Sequence, residues 1–132
     1  MKGRKRHILV DTLGLLLAVT VNPANTSDAA GALELMSRVK GVLCRLGILY
    51  ADGGYEYESL AQACQERNGV RLMVIKRTDP GFKVLPKRWV VERTFGWIGR
   101  NRRLSKDYEQ LPTVSESFVK LAMIRLMVAR LA

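Results

Sequence analysis

Gly47-Ile48-Leu49-Tyr50-Ala51-Asp52-Gly53-Gly54 is the stretch whose reading decides the fold. Its apolar and aromatic residues predict a short buried strand over 47–51, which stops abruptly at an acid followed by two glycines. On both sides the period changes to that of a helix. Upstream, Thr26, Ser27 and Asp28 can each cap a helix running to about Leu43, with Ala29, Ala32, Leu33, Met36, Val39 and Leu43 on its buried side. Downstream, 55–68 reads as a helix closed by Gly69, and 70–75 as another strand. A strand set between helices and returning through one of them to a further strand places the chain in the α/β class.

The rest of the chain extends this pattern. Residues 6–12 and 15–21, rich in Ile, Leu and Val and joined around Leu13-Gly14, predict a β-hairpin that Asn22-Pro23-Ala24-Asn25 ends. Residues 76–86 hold Asp79-Pro80-Gly81 and read as an exposed loop. A helix follows over 87–106, with Val91, Phe95 and Ile98 as its inward stripe. Thr113-Val114-Ser115-Glu116 has the form of a capping box opening a last helix, packed through Phe118, Leu121, Ala122, Ile124, Leu126 and Val128. The order β-β-α-β-α-β-α-α predicts helices against a mixed sheet in one domain over 1–132, with a basic arm over 1–7, a core over 8–104 and a C-terminal helix over 113–131.

With 132 residues the chain has room for one core. Its hydrophobic fraction of 48% and charged fraction of 26% are ordinary, but 22 Lys+Arg against 12 Asp+Glu leave a net charge of +10. Such a surface attracts polyanions, nucleic acid first and acidic membranes second. Cys44 and Cys64 lack metal-ligand spacing and read as reduced residues in or near a core, which points to the cytoplasm. The apolar run 13–21 is too short to span a membrane, and Asp11 breaks the resemblance of the N-terminus to a signal peptide.

Two acids stand apart. Asp52 lies where a strand ends and a Gly-Gly turn begins, the place where α/β sheets present ligand-contacting groups. The plainer reading is that it only caps the turn. Glu92 is the single acid in 87–106, where seven of twenty residues are Lys or Arg. On a helix it shares a face with Gly96, Gly99 and Arg103, and each glycine costs about 1 kcal/mol relative to alanine. That open face beside cations suits an acid that holds a metal next to a polyanion, although Glu92 can also simply pair with Arg88 or Arg93. Converging carboxylates that bind Mg²⁺ are the means by which phosphoryl-transfer enzymes place two ions at a scissile phosphate. His7 reads as a hairpin packing residue, and Trp89 and Trp97 as half-buried rings with base stacking as the alternative.

The hairpin K-G-R-K-R-H-I-L-V-D-T-L-G-L-L-L-A-V, the turn A-D-G-G-Y and the helix R-W-V-V-E-R-T-F-G-W-I-G-R-N-R-R-L-S-K-D-Y-E resemble the transposases of bacterial insertion sequences. The type is the one with an Asp-Asp-Glu triad, in the family five group with four-like relatives, and the similarity runs over essentially the whole chain as the C-terminal part of the catalytic domain. The resemblance implies a ribonuclease-H-like mixed sheet flanked by helices. It also implies nicking and joining of transposon-end DNA with two Mg²⁺ ions, for which Mn²⁺ can substitute. By motif, Asp52 matches the second aspartate and Glu92 the glutamate, as catalytic and metal-binding residues. Arg93, Arg100, Arg103 and Lys106 match basic positions that grip DNA, and Lys2, Arg4, Lys5 and Arg6 add a phosphate-binding patch.

One departure matters. In the family the first aspartate lies on a central strand just upstream of the K-G-R-K-R-H block, where this chain begins. The expectation is therefore a sheet lacking that strand, a weakened metal site, and weak or no strand transfer by this chain alone. Asp11 is the nearest acid, and its place in the hairpin marks it as structural. Implied partners are double-stranded DNA, as transposon ends and target, with a second copy of the chain or an upstream reading-frame product as further partners to test. No membrane is implied, and the place would be the cytoplasm with the nucleoid. The competing function is a basic DNA-binding fragment or regulator without chemistry. A ribosomal-type RNA-binding protein fits the charge but not the placement of the acids.

Overall fold

The computed structural model describes residues 3–75, 88–100 and 111–131, with the side chains of 88–90 and 92 outside that description. The predicted loop 76–86 therefore lies outside the described residues. Two compact units emerge, one made of residues 1–26 and 90–132, the other of residues 27–89.

The first unit is built on a hairpin. Strand β1 (Arg4–Val10) pairs antiparallel with β2 (Leu16–Pro23), with Ile8 opposite Val19 and His7 opposite Thr20. The register shifts between Leu9 and Val10. Asp11 builds the turn, its Oδ1 accepting from the N–H groups of Leu13 and Leu15, both at 2.9 Å. Gly14 closes the turn at φ 84, a left-handed conformation that residues with a Cβ avoid. The strands reach two residues further than expected at their outer ends. Lys5 pairs with Asn22 and Arg4 with Pro23, so the ladder outlasts the breaker residues, and proline is tolerated where the strand ends. The basic segment 4–6 is accordingly strand, not a loose arm.

Helices α3 (Arg88–Gly99) and α4 (Pro112–Leu131) supply the rest of this unit. Val19, Ile98 and Val119 form its core, with Ile8, Leu16, Phe118 and Ala122 packed around them. Each such buried aliphatic side chain contributes on the order of 1.5–3 kcal/mol. The inward stripe of α3 differs from expectation: Phe95 is exposed, and Thr94 is fully buried beside Ile98. The cause is polar, since Thr94 Oγ1 donates to the Gly14 carbonyl at 2.6 Å.

Helix α4 is also turned relative to expectation. Its buried residues are Ser115, Glu116, Val119 and Met123, while Leu121, Ile124 and Val128 are exposed. The expected capping box does not form. The helix starts at Pro112, Thr113 lies inside its first turn, and the Leu111 carbonyl accepts from the Val114 and Ser115 N–H groups. Glu116 instead reaches the hairpin, its Oε1 accepting from the Val21 N–H at 3.0 Å in a buried setting. That bond fixes which face of α4 points inward. Glu116→Ala is expected to lower stability by about 2 kcal/mol, since a buried donor left unpaired costs roughly 1–3 kcal/mol. Glu116→Gln, which keeps an acceptor oxygen, should lose less than half of that in urea unfolding. Equal losses in the two variants would show that the acceptor is not what matters.

The second unit is a helix pair over a short parallel strand pair. Ser27 caps α1 (Asp28–Val39), its Oγ accepting from the Ala30 N–H. This helix ends four residues before the expected Leu43, ahead of Gly41 at φ 78. Strand β3 (Ile48–Asp52) leads through a single 3₁₀ turn, Gly53–Tyr55, into α2 (Glu58–Asn68) and then β4 (Arg71–Ile75). Gly69 at φ 64 ends α2 by returning its N–H to that helix's last carbonyls. Met36, Val39, Leu60, Cys64 and Val70 are buried, and Asn68 Nδ2 donates to the Met36 carbonyl at 3.0 Å.

The expected buried strand over 47–51 proves half-exposed, with Ile48 and Tyr50 facing outward. A parallel pair of two short strands has one covered face at most, and alternation is its signature. Among the described residues the four strands make two separate two-stranded sheets, β1 with β2 and β3 with β4, where a single mixed sheet was expected. Cys64 is a buried free thiol as expected; Cys44 is free too, but exposed and outside any helix.

Candidate active site

Asp52 is the last residue of β3, paired with Ile75 of β4. Its backbone is still extended, so the carboxylate stands at the strand's carboxyl end, where the Gly-Gly turn leaves it exposed. One oxygen is engaged locally, for Oδ1 accepts from the Gly54 N–H at 3.0 Å and caps the 3₁₀ turn. The plain capping reading is thus correct as geometry, and it also orients the carboxylate.

A second acid stands close by, and sequence reasoning took it only for a cap. Asp28, in the first turn of α1, has its Oδ2 3.2 Å from where a Cβ on Gly54 would stand, and Asp52 Oδ1 is also 3.2 Å from that point. Glycine at 54 therefore keeps the space between two carboxylates open. Tyr55 registers both charges. Burial first, then Asp28 and then Asp52, pushes its phenol from the ordinary 10.0 up to about 12.

The shift has a consequence with a definite sign. The folded-state pKa is raised, so the stability tied to the neutral phenol is complete below pH 10.0 and is lost as pH climbs towards about 12. Asp28→Asn is expected to bring the Tyr55 midpoint part of the way down. Ultraviolet titration of the phenols in the two proteins checks this, and identical curves would mean that Asp28 does not act on Tyr55.

The basic helix shows its work in the first unit. Arg93 Nη2 donates to the Leu13 carbonyl at 2.8 Å, next to the Thr94 bond to Gly14. Two consecutive residues of α3 therefore grip the hairpin turn. The Arg93 guanidinium also lies over the Trp97 ring, 4.7 Å from its centroid, and that of Arg130 lies 4.5 Å from the same centroid. Lys5 Nζ donates to the Thr26 carbonyl at 3.1 Å, while Arg100 is exposed just past the end of α3. Glu92 lies on α3, with its side chain outside the described residues, and Lys2, Arg103 and Lys106 lie outside them altogether. Among the described residues no three His, Cys, Asp or Glu side chains gather as a ready metal cage.

An exposed acid at a strand end and a basic helix carrying another acid acquire meaning from the chain's relatives. The sequence pattern of the family described as Transposase DDE domain matches residues 1–127. The chain belongs to this family. This transposase domain is 32% identical over 126 residues to a transposase ascribed to insertion sequence element IS402 in Burkholderia cepacia, covering 90% of the chain and 60% of that relative. It is 27% identical over 124 residues to one ascribed to IS6501 in Brucella ovis, covering 89% of the chain and 92% of that relative. The chain thus spans less than two thirds of the first relative's length and nearly all of the second's. No solved structure matches it significantly. No helix among its described residues is long and apolar enough to cross a membrane.

Three residues of this transposase domain escaped sequence reasoning. Thr94 is a mediocre helix former to which the motif around it gives no role, and only the nearness of Gly14 explains it. Asp28 sat among three possible caps. Arg130 lies far along the chain from the ring it covers.

Proposed function

We propose that this chain is catalytic-domain sequence of an Asp-Asp-Glu transposase of the insertion-sequence family five type, with a ribonuclease-H-like arrangement, acting on the DNA ends of an insertion sequence. The observation that carries the reading is Asp52, exposed at the carboxyl end of β3 before a Gly-Gly turn, in a chain matched by the transposase family over residues 1–127. Asp52 and Glu92 are the residues that hold Mg²⁺, or Mn²⁺ in its place. Carboxylate oxygens are the donors such hard cations prefer, and Asp52 offers them exposed and already oriented by the Gly54 N–H. The cation, when bound, supplies Lewis-acid stabilisation of phosphoryl transfer.

Arg93, Arg100, Arg103 and Lys106 contact DNA phosphates. Lys2, Arg4, Lys5 and Arg6 extend that contact along the hairpin. Such contacts hold the duplex without reading its sequence. The place of action is the bacterial cytoplasm, on the chromosome.

The test is a nicking assay on insertion-end DNA in Mg²⁺ or Mn²⁺, with a chelator as control, beside calorimetric titration of Mn²⁺ into the chain. Weak, metal-dependent nicking and saturable Mn²⁺ uptake are the expected results. The second reading, a DNA-binding fragment or regulator without chemistry, is favoured by the net charge of +10 alone. It predicts salt-sensitive DNA binding with neither nicking nor Mn²⁺ uptake.

A further inference from the structure

We infer that Thr94 is a positioning residue for Glu92, holding α3 at the rotation that presents residue 92 to a cation; this deepens the transposase reading above and rests on it. Thr94 is fully buried, and its Oγ1 donates to the Gly14 carbonyl at 2.6 Å. Beside it the Leu13 carbonyl accepts from Arg93 Nη2 at 2.8 Å. These acceptors are themselves held in place. Asp11 Oδ1 takes the Leu13 and Leu15 N–H groups. The Asp11 carbonyl takes the Gly14 N–H at 3.0 Å, and the Asp11 N–H reaches the Leu15 carbonyl at 3.0 Å. A turn tied by four hydrogen bonds therefore offers two fixed carbonyls to two consecutive residues of one helix.

Such a grip sets the angle of the helix about its own axis. A helix turned to centre Val91, Phe95 and Ile98 on the core would differ by about 45° from one centred on Thr94 and Ile98. On a Cα cylinder of radius about 2.3 Å, that rotation moves the backbone of residue 92 by about 2 Å. Metal ligands are placed to within about 0.2 Å, and a 1 Å error at a catalytic group can cost about 10²-fold. The rotation is therefore decisive for an acid on this helix. With Thr94 turned inward, position 92 lies about 160° round the helix from it, on the outer side. Gly96 and Gly99 share that side, and a Cβ on either would meet nothing within 4 Å. The Thr94 bond thus leaves open the one side of α3 that combines an acid with two residues lacking side chains.

The experiment titrates Mn²⁺ calorimetrically into the wild-type chain, Thr94→Ala, Thr94→Ser, Glu92→Gln and the double variant carrying Thr94→Ala and Glu92→Gln. Thermal melts establish that each is folded. Thr94→Ala is expected to weaken Mn²⁺ binding about 10-fold, as loss of a residue that orients a metal ligand does. Thr94→Ser keeps the donor and should bind as wild type does. In the Glu92→Gln background Thr94→Ala should cost nothing further, because its effect passes through that carboxylate. A merely structural threonine would instead give losses that add, and additive losses would overturn the inference. Wild-type affinity in Thr94→Ala would do the same, and a serine variant as weak as the alanine one would remove the hydrogen bond as the cause. If alanine leaves the unit unfolded, Thr94→Val, which keeps the volume and lacks the donor, takes its place with the same expected result. No Mn²⁺ uptake by the wild-type chain, or none lost in Glu92→Gln, would sink the metal-binding reading itself, and the role of Thr94 with it.

Discussion

Gly14→Ala is expected to lower the stability of the hairpin unit by about 3–4 kcal/mol, the sum of two separate penalties. The first is conformational. Gly14 holds φ 84, and an L-residue pays roughly 1–2 kcal/mol to adopt a left-handed backbone. The second is steric. A Cβ there would meet Thr94 Oγ1 at 2.9 Å, Arg93 Nη2 at 3.0 Å and Trp97 Cζ3 at 3.1 Å. None of the three can withdraw without consequence, because Thr94 and Arg93 are hydrogen-bonded to this same turn and Trp97 carries two guanidinium groups. Overpacking of this kind costs about 1–3 kcal/mol. Gly41→Ala is the control, since its φ of 78 is equally left-handed but nothing lies within 4 Å. It should lose only the conformational part, about 1 kcal/mol. Urea unfolding of the two variants measures the difference, and equal losses would remove the steric half of the account.

The same turn shows why some features were legible in the sequence and others were not. Leu13-Gly14 between two β-branched-rich runs is a local signal, and the hairpin stands where it pointed. Gly69 after a helical pattern is another, and it ends α2 as expected. What local pattern could not supply was the rotation of a helix about its axis. Val91, Phe95 and Ile98 form a sound apolar stripe on paper, yet Thr94 is buried beside Ile98 and Phe95 is exposed, because a carbonyl across the unit accepts the Thr94 hydroxyl. Glu116 likewise reads as half of a capping box, but a buried strand N–H claims its carboxylate from 95 residues away along the chain. In both helices one long-range polar bond outweighs a periodic apolar pattern, since apolar stripes tolerate a turn of some tens of degrees and a buried donor does not tolerate a missing acceptor. Asp52 was legible because a strand end followed by two glycines is a local signal; the nearness of Asp28 was not, because it depends on how α1 returns to the 3₁₀ turn.

Asp52→Asn is expected to separate the turn cap that Asp52 forms from the metal-binding role proposed for it, with the largest effect on function of any single change proposed. Asparagine keeps an Oδ1 acceptor for the Gly54 N–H, and it caps as well as aspartate does. Stability should therefore stay within about 0.5 kcal/mol of wild type, whereas Asp52→Ala, which loses the cap, should cost about 1 kcal/mol. Charge is what the asparagine variant removes. A cation held by carboxylates loses one anionic ligand, and Mn²⁺ affinity is expected to fall at least about 10–100-fold. Metal-dependent nicking should fall by about 10²–10³-fold, the scale on which removing one electrostatic stabiliser of a transition state is felt. Tyr55 reports the same change independently, for a neutral residue at 52 takes away one of the charges that raise its phenol to about 12. If Asp52→Asn keeps full Mn²⁺ binding and nicking while Tyr55 responds, the carboxylate is a turn cap whose charge is felt locally and the metal lies elsewhere. If binding and nicking both collapse in a protein of unchanged stability, the cap and the ligand are one residue. In that case the hydrogen bond to Gly54 is what holds the catalytic oxygens in place before a cation arrives.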